Sequence, residues 1–504
     1  MPCWVNKRNF LQIKREIRQE SSKPSLAYLI YPFSVFLIVG IAYGRTIAPG
    51  LTWANGGTDG GDLITAAAVQ GIAHPGGYPT YLLIARLFQQ LPIGNLAFRT
   101  NVFSAVCMVL AVFVLFITCR QLFKGSPFAD LSAWASALFF GLSPLVWSQA
   151  VITEVYALQA LFTVVILYLV LSSPKYPAGD ILTGLVIGLA LGNHLTTLFL
   201  LPLLIWDRTS ICSDVKRHLP IRILGVLIGS MIYLLLPFWA SFHPPVNWGN
   251  PVTLTAFFDL ITGKIYQSNF TLMYANDRLR GLAGLFLEQF HLVGLVMGFF
   301  WLIGGWSNIK KTIPLVWIFL VHCILSIFYG SFDSYLYLIP SIMVFSIWIG
   351  SGIEEITCYI TSRWPKGWIS VFLVLCAAFG YQIYHTAPIV DASKDQRAEL
   401  FGRTIMETMP PDAIIITEDD ESTFALWYLH YALKMRGDIS IVVKGLLPYG
   451  WYQETLRHTS PDLSLPQAEN GATIKSIIEA NPSREVCNIV DRHSLKIHCS
   501  NLKK

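Results

Sequence analysis

The chain has 504 residues, of which 54% are hydrophobic and 13% charged, with a mean hydropathy of +0.52. A soluble domain carries about 25% charged residues, so the composition excludes a soluble globular protein and a disordered one. The formal charge of +5 is uneven: basic residues outnumber acidic ones 23 to 15 up to residue 390, and acidic residues prevail 16 to 13 beyond it. Neither part has the dense basic stripe of a nucleic-acid binder.

Residues 1–24 are polar and basic. Apolar runs of spanning length follow near 25–44, 99–119, 129–147, 154–173, 219–239, 282–304, 313–330, 335–353 and 368–387. The stretch 180–206 is broken by Gly192-Asn193-His194. It reads as two short helices meeting at the outer side, because polar breaks within a membrane occur where they line a cavity. The expectation is about eleven transmembrane helices. Lys7, Arg8, Lys14, Arg15, Arg18 and Lys23 precede the first helix. The alternate loops carry Arg120 and Lys124, Lys175, Arg208 to Arg222, Lys310 and Lys311, and Arg363 and Lys366. The positive-inside rule then sets a cytoplasmic N-terminus and an extracytoplasmic C-terminus. Three regions result: a basic N-terminus (1–24), a transmembrane region (25–387) and a small extracytoplasmic α/β domain (388–504).

That C-terminal region alternates β-branched runs (413–417, 439–444, 486–490) with helical spacing (424–434, 451–458, 473–480). The pattern predicts a three-stranded sheet with parallel pairing. No Gly-rich nucleotide fingerprint follows either of the first two strands. Cys487 and Cys499 stand apart from the other seven cysteines. In an exported, oxidising location these two can pair.

The polar chemistry gathers in the outer segments. Asp59-Gly60-Gly61-Asp62 lies just beyond the first helix. It reads as a general base with a positioning partner, or as a turn with N-capping acids. His74 follows in His74-Pro75-Gly76-Gly77-Tyr78-Pro79, and an amphipathic stretch from Thr80 to Leu91 carries Arg86. Glu154 begins the fourth helix between apolar runs. An ionisable group at that depth usually faces a cavity, although an interfacial N-cap acid fits as well. His194 sits in the helix break, as a ligand contact or as a cap for freed backbone groups. Asp333 reads first as a cap, Trp53 and Trp248 as interface anchors, and Glu418–Glu421 as a solvated loop at a strand end.

Asp59-Gly-Gly-Asp62, His74-Pro-Gly-Gly-Tyr-Pro79, Asn95-Leu-Ala-Phe-Arg99, Glu154-Val-Tyr156, Gly192-Asn-His194, Asn247-Trp-Gly-Asn-Pro251 and Asp333-Ser-Tyr335 together carry a resemblance. The chain resembles a bacterial family of multi-pass membrane proteins long known as a domain of unknown function. The eukaryotic relatives of that family are transmembrane protein O-mannosyltransferases. The resemblance implies a GT-C-like α-helical membrane fold with outer juxtamembrane helices. It also implies transfer of a sugar from a polyprenyl-phosphate donor to a protein or glycan hydroxyl. Under it, Asp59, Asp62 and Glu154 are catalytic, with or without a divalent cation. His74, Arg86 and His194 meet the donor phosphate. Tyr78, Tyr156, Trp248 and Asp333 stand beside the acceptor or behind the site. The bilayer holds the donor's tail, and the membrane is a bacterial plasma membrane. A transporter or lipid flippase also uses broken helices, but it places polar groups near the midplane in repeated halves, and no internal repeat is visible here. A scaffold whose tail binds a partner leaves the outer-loop acids without a role.

Overall fold

The structure is a computed structural model that describes residues 27–172, 177–206, 215–271, 273, 275–304, 309–466, 472–491 and 496–500. The basic N-terminal stretch and the loop charges Lys175 and Arg208 lie outside the described residues. The membrane region begins with α1 (Ala27–Thr46), the outer helices α2 (Gly60–Val69) and α3 (Pro79–Phe88), and α4 (Leu96–Leu122). Next come α5 (Ala129–Gly141), α6 (Pro144–Ala150), α7 (Tyr156–Ser172), α8 (Pro177–Leu191) and a 3-10 helix, Leu195–Ile205. It continues with α9 (Val215–Ser230), α10 (Leu235–Ala240), α11 (Leu254–Ile261), α12 (Ala275–Gly304), α13 (Ile309–Phe328), α14 (Ile339–Arg363) and α15 (Gly367–Val390).

Among the described residues, six helices are long and apolar enough to cross a membrane, and α5 with α6 forms an apolar pair bent by 67° that is a broken span or a re-entrant loop. The bend falls at Ser143-Pro144, where the proline ring disfavours helical backbone before it. The sequence had suggested one unbroken run there. The remaining apolar runs are the shorter α7, α8, Leu195–Ile205 and Thr312–Phe328. The chain is a multi-pass helical membrane protein. Helix α14 is buried along most of its length against α12 and α5, whereas α1 and α15 expose most of theirs.

Helices α8 and α9 pack closely through Gly184 and Gly188 on one side and Gly225 and Gly229 on the other. A Cβ on Gly188 would stand 2.4 Å from the Val226 carbonyl oxygen. Small residues four apart allow such backbone approach in lipid. At one end of this pair, Asp180 accepts hydrogen bonds from Arg222 (2.8 Å) and His218 (2.6 Å). Arg222 also donates to the carbonyls of Leu204 and Trp206. It is therefore a buried, paired residue within a helix, not a loop charge as the sequence suggested.

The C-terminal unit comprises α16 (Arg397–Thr408), β1 (Ile414–Thr417), α17 (Asp420–Trp427), β2 (Ser440–Val443), α18 (Gly450–Thr459), α19 (Ile474–Ala480), β3 (Val486–Asp491) and β4 (Lys496–Ser500). The strand order is β2-β1-β3-β4. The first three strands are parallel as expected, and β4 is an additional antiparallel edge. Cys487 and Cys499 oppose each other across β3 and β4 and form a disulfide.

This unit is fastened to the outer loops. Asp395 accepts from the Thr52 hydroxyl (2.6 Å) and from the amides of Trp53 and Ala54. Trp53 packs on Phe401 of α16. Trp248 is 8% exposed and packs against Phe424, Trp427 and Trp451. Both tryptophans bind the C-terminal unit to the membrane region and are not anchors at the lipid interface. Gly61 marks the closest approach, since a Cβ there would lie 2.4 Å from the Phe424 carbonyl oxygen. A Cβ on Gly60 would meet nothing nearer than 3.5 Å. Gly61→Ala should therefore lower stability by about 1–3 kcal/mol, the usual cost of overpacking, and hasten proteolysis of the C-terminal unit. Gly60→Ala should do neither. Thermal unfolding and limited proteolysis of the two variants check this.

Candidate active site

Asp59 precedes α2, and its side chain makes no capping bond. The N-cap reading therefore fails for this acid, and its side chain is 39% exposed. Asp62, one turn later, is fully buried. Its Oδ2 accepts from the His74 backbone N–H (2.9 Å) and meets His74 Nδ1 at 2.8 Å. Its Oδ1 accepts from Trp248 Nε1 (3.1 Å). Asp62 thus holds other residues in place and does not itself face the cleft.

The motif after His74 turns sharply. Gly76 and Gly77 adopt positive φ, and Tyr78 is held at φ 44°, a costly conformation for a residue with a Cβ. The turn brings the Tyr78 ring to 4.9 Å from His74 and 6.2 Å from His194. It also starts α3 against the helix break: the Thr80 amide donates to the Gly192 carbonyl (3.0 Å) and its hydroxyl to Leu189 (2.7 Å). The 241–250 loop is laid beside His74 by two backbone hydrogen bonds, Ile72 to Val246 (2.8 Å) and Trp248 to Ile72 (3.3 Å).

His194 caps the following 3-10 helix. Its Nδ1 meets the Thr196 hydroxyl at 2.8 Å and accepts from the Thr196 amide. The capping reading holds, and it leaves Nε2 to serve a ligand. Rings of Tyr156 and Tyr337 lie 5.5 and 5.7 Å from His194. Glu154 is 5% exposed, and its only side-chain hydrogen bond described is from the Val155 amide. Asp333 makes no capping bond either. It is bonded to the Ser331 hydroxyl and accepts from the Tyr156 hydroxyl at 3.4 Å. Arg278 fixes that turn through the carbonyls of Tyr329 and Ser331 and the Ser334 hydroxyl.

The structure therefore gathers Asp59, Asp62, His74, Tyr78, Glu154, Tyr156, His194, Trp248 and Asp333 on one side of the membrane region. Arg86 is not brought there. It lies in the last turn of α3, two turns beyond Tyr78, and reaches the Ala67 carbonyl at 3.5 Å. Three residues join the site without having been singled out. Asp420 at the start of α17 and Tyr266 are within electrostatic reach of Asp62, and Tyr337 lies beside Tyr156. Only the position of the acidic run at a strand end hinted at Asp420.

Electrostatics divide these groups. Burial raises Asp59 to about 6; His74 offsets part of that rise, and Asp62, Asp333 and Asp420 add to it. Burial alone would lower His74, but the Asp59 charge and the Asp62 hydrogen bond override it and hold His74 up at about 9. Its Nε2 lies 3.7 Å from Asp59, an ion-pair distance longer than a hydrogen bond. Burial, reinforced by Asp59, pushes Glu154 well above the usual carboxylate range. Burial also raises Asp420. The cluster thus combines an accessible acid, a histidine held toward its cationic form and a second acid whose burial favours its protonated form.

Residues 59–210 match the model of the protein O-mannosyl-transferase TMEM260 N-terminal domain, and residues 398–468 match TMEM260-associated domain 2. Over these two stretches the chain is similar to the O-mannosyltransferases so named. It is 26% identical over 472 residues to protein O-mannosyl-transferase TMEM260 of Mus musculus, covering 86% of the chain and 65% of the mouse protein. Identity to the Dictyostelium discoideum tmem260 protein is 21%, covering 89% and 62% of the two chains. The chain therefore spans a little under two thirds of the length of these relatives. The fold is that of ArnT from Cupriavidus metallidurans bound to undecaprenyl phosphate, with a TM-score of 0.60 at 11% identity and coverage of 93% and 94%. In the apo state of ArnT the TM-score is 0.57. The TMEM260 N-terminal match opens on Asp59 and runs past His194, and the second match contains Asp420.

The coupling of Asp62 to His74 is measurable without substrate. In protein with isotope-labelled histidine, NMR should show His74 protonated up to about pH 9. Asp62→Asn removes a charged hydrogen bond and should lower that midpoint by at least one pH unit, equivalent to about 1.4 kcal/mol. An unchanged midpoint would contradict the pairing.

Proposed function

We propose that the chain is a membrane glycosyltransferase that moves a sugar from a polyprenyl-phosphate donor to an acceptor hydroxyl with inversion, Asp59 acting as base. The carrying observation is the accessible, raised carboxyl of Asp59 beside His74, in a cluster with Tyr78, Glu154, Tyr156 and His194. The names of the mouse and Dictyostelium relatives support mannose as the sugar and a protein hydroxyl as the acceptor. The undecaprenyl phosphate named with ArnT supports the class of carrier. The gathering of the acids at one side, away from the midplane, favours transfer over transport.

In this reading the donor's isoprenoid tail stays in the bilayer and its phosphate meets His74 and the Nε2 of His194. The acceptor oxygen attacks the anomeric carbon while Asp59 takes its proton. The bond from that carbon to the phosphate oxygen breaks, and the electron pair leaves with the polyprenyl phosphate. A phosphate is already a fair leaving group, so no separate acid is required. Glu154, whose burial favours its protonated form, donates a hydrogen bond to the phosphate. Asp62 and Trp248 position His74. Asp420 and α17 close the cleft from the C-terminal side and border the acceptor. The reaction takes place on the extracytoplasmic face, in a bacterial plasma membrane, with the N-terminus in the cytoplasm and the C-terminal unit (388–504) outside.

Purified protein in nanodiscs, offered a panel of polyprenyl-phosphate sugars with a hydroxyl-bearing peptide, should release free carrier phosphate. Asp59→Asn should reduce turnover at least about 10²-fold, the lower end for a lost general base, without altering thermal unfolding. Turnover retained in Asp59→Asn would remove it from the base role. For the wild type, kcat/KM should rise as pH passes about 6, where Asp59 ionises, and fall near 9, where His74 loses its proton. A flat profile between pH 5 and 8 would contradict the assignment.

A further inference from the structure

Away from the cleft, a second group of chemically capable side chains joins the two parts of the molecule. His243 follows α10 in the 241–250 loop, while Glu454 and His458 stand four residues apart on one face of α18. One ligand atom from each of the three lies within 4.8 Å of the other two. The His243 and His458 rings are stacked at 4.1 Å with an 18° angle between their planes. Residues more than 200 positions apart thus bring two imidazoles and a carboxylate together, and turning the exposed rings out of their stack lets both nitrogen lone pairs reach one ion.

The geometry points to a divalent transition-metal site of the zinc class at His243, Glu454 and His458, clamping the C-terminal unit to the outer loop of the membrane region. Two histidines and a carboxylate are a donor set that zinc accepts, with water as the fourth ligand. Ligands at about 2.0–2.2 Å in a tetrahedron stand about 3.4 Å apart. All three side chains are exposed, so small rotations about their own bonds bring them in. Asn250 donates to Glu454 Oε2 at 3.1 Å, which orients the carboxylate and leaves Oε1 for the ion, as outer partners do in metal sites. His243 is held at φ 49°, a backbone conformation that surrounding structure must maintain in a residue with a side chain.

The clamp has a consequence for the cleft. The loop that carries His243 also carries Trp248, which donates to Asp62. An ion bridging His243 to α18 therefore stiffens the segment that positions Asp62 and His74. It also resists withdrawal of the C-terminal unit.

The test uses the full chain, free of any histidine tag, in nanodiscs and stripped of metal with a chelator. Calorimetric titration with Zn²⁺ should give one site per chain, and Co²⁺ should give the visible absorption of a tetrahedral complex. His243→Ala and His458→Ala should each weaken Zn²⁺ binding at least about tenfold and abolish the Co²⁺ bands. Their unfolding temperatures in chelator should match the wild type, because the side chains are exposed. His458→Cys should restore binding and add a thiolate-to-cobalt charge-transfer band, which a merely structural residue would not. Zn²⁺ should also slow proteolysis of the C-terminal unit in the wild type and not in His458→Ala. Failure of the wild type to bind Zn²⁺ would overturn the proposal. Binding of equal strength in His243→Ala and His458→Ala would overturn it too, since the ion would then lie elsewhere.

Discussion

The outer face of the molecule depends on one buried carboxylate. Asp62 is fully enclosed and gives its oxygens to the His74 backbone, the His74 ring and the Trp248 indole. A charge in such a place is tolerated only while its partners are present, and losing one leaves the full cost of desolvation. Those partners come from the first outer loop and from the 241–250 loop. Trp248 is itself packed under Phe424, Trp427 and Trp451 of the C-terminal unit. One side chain therefore ties three separate parts of the chain together.

That arrangement separates two acids three residues apart into different tasks. Asp62 is buried and saturated, whereas Asp59 is reachable and makes no capping bond. His74 stands between them, held by the first and facing the second across 3.7 Å. Its charge keeps Asp59 from rising further, so Asp59 ionises near 6 and is available as a base at neutral pH. Glu154 is raised well above the usual carboxylate range by burial and by the Asp59 charge, with His74 offsetting part of the rise. Asp59, Asp62, Glu154 and Asp420 thereby share the field of one cationic group, His74, a pattern that suits binding of a phosphate and proton removal from a hydroxyl.

The apolar runs were legible because bilayer thickness sets their length and composition, and so was the break at Gly192-Asn193-His194; the bend at Ser143-Pro144 was not, because the apolar run continues on both sides of it. Asp59, His74, Glu154 and His194 were legible as polar residues in apolar surroundings. Other features depend on tertiary contacts that no local pattern carries. Arg222 reads as a loop charge until Asp180 is seen beside it. Trp248 reads as an interface anchor until the C-terminal unit covers it. Asp420 belongs to an acidic run that, by itself, suits solvent. The short, polar strand Lys496–Ser500 has neither the length nor the β-branched content to announce itself.

In the proposed reaction Asp59 faces the anomeric carbon of a lipid-linked sugar whose phosphate rests on the two histidines. A cryo-electron microscopy structure of Asp59→Asn in nanodiscs with a polyprenyl-phosphate sugar tests it most directly. The expected result is the phosphate within hydrogen-bond reach of His74 and His194 Nε2, the tail between helices, and the side chain at position 59 on the face of the sugar opposite the phosphate. A donor phosphate bound away from both histidines, with position 59 turned from the anomeric carbon, would contradict it.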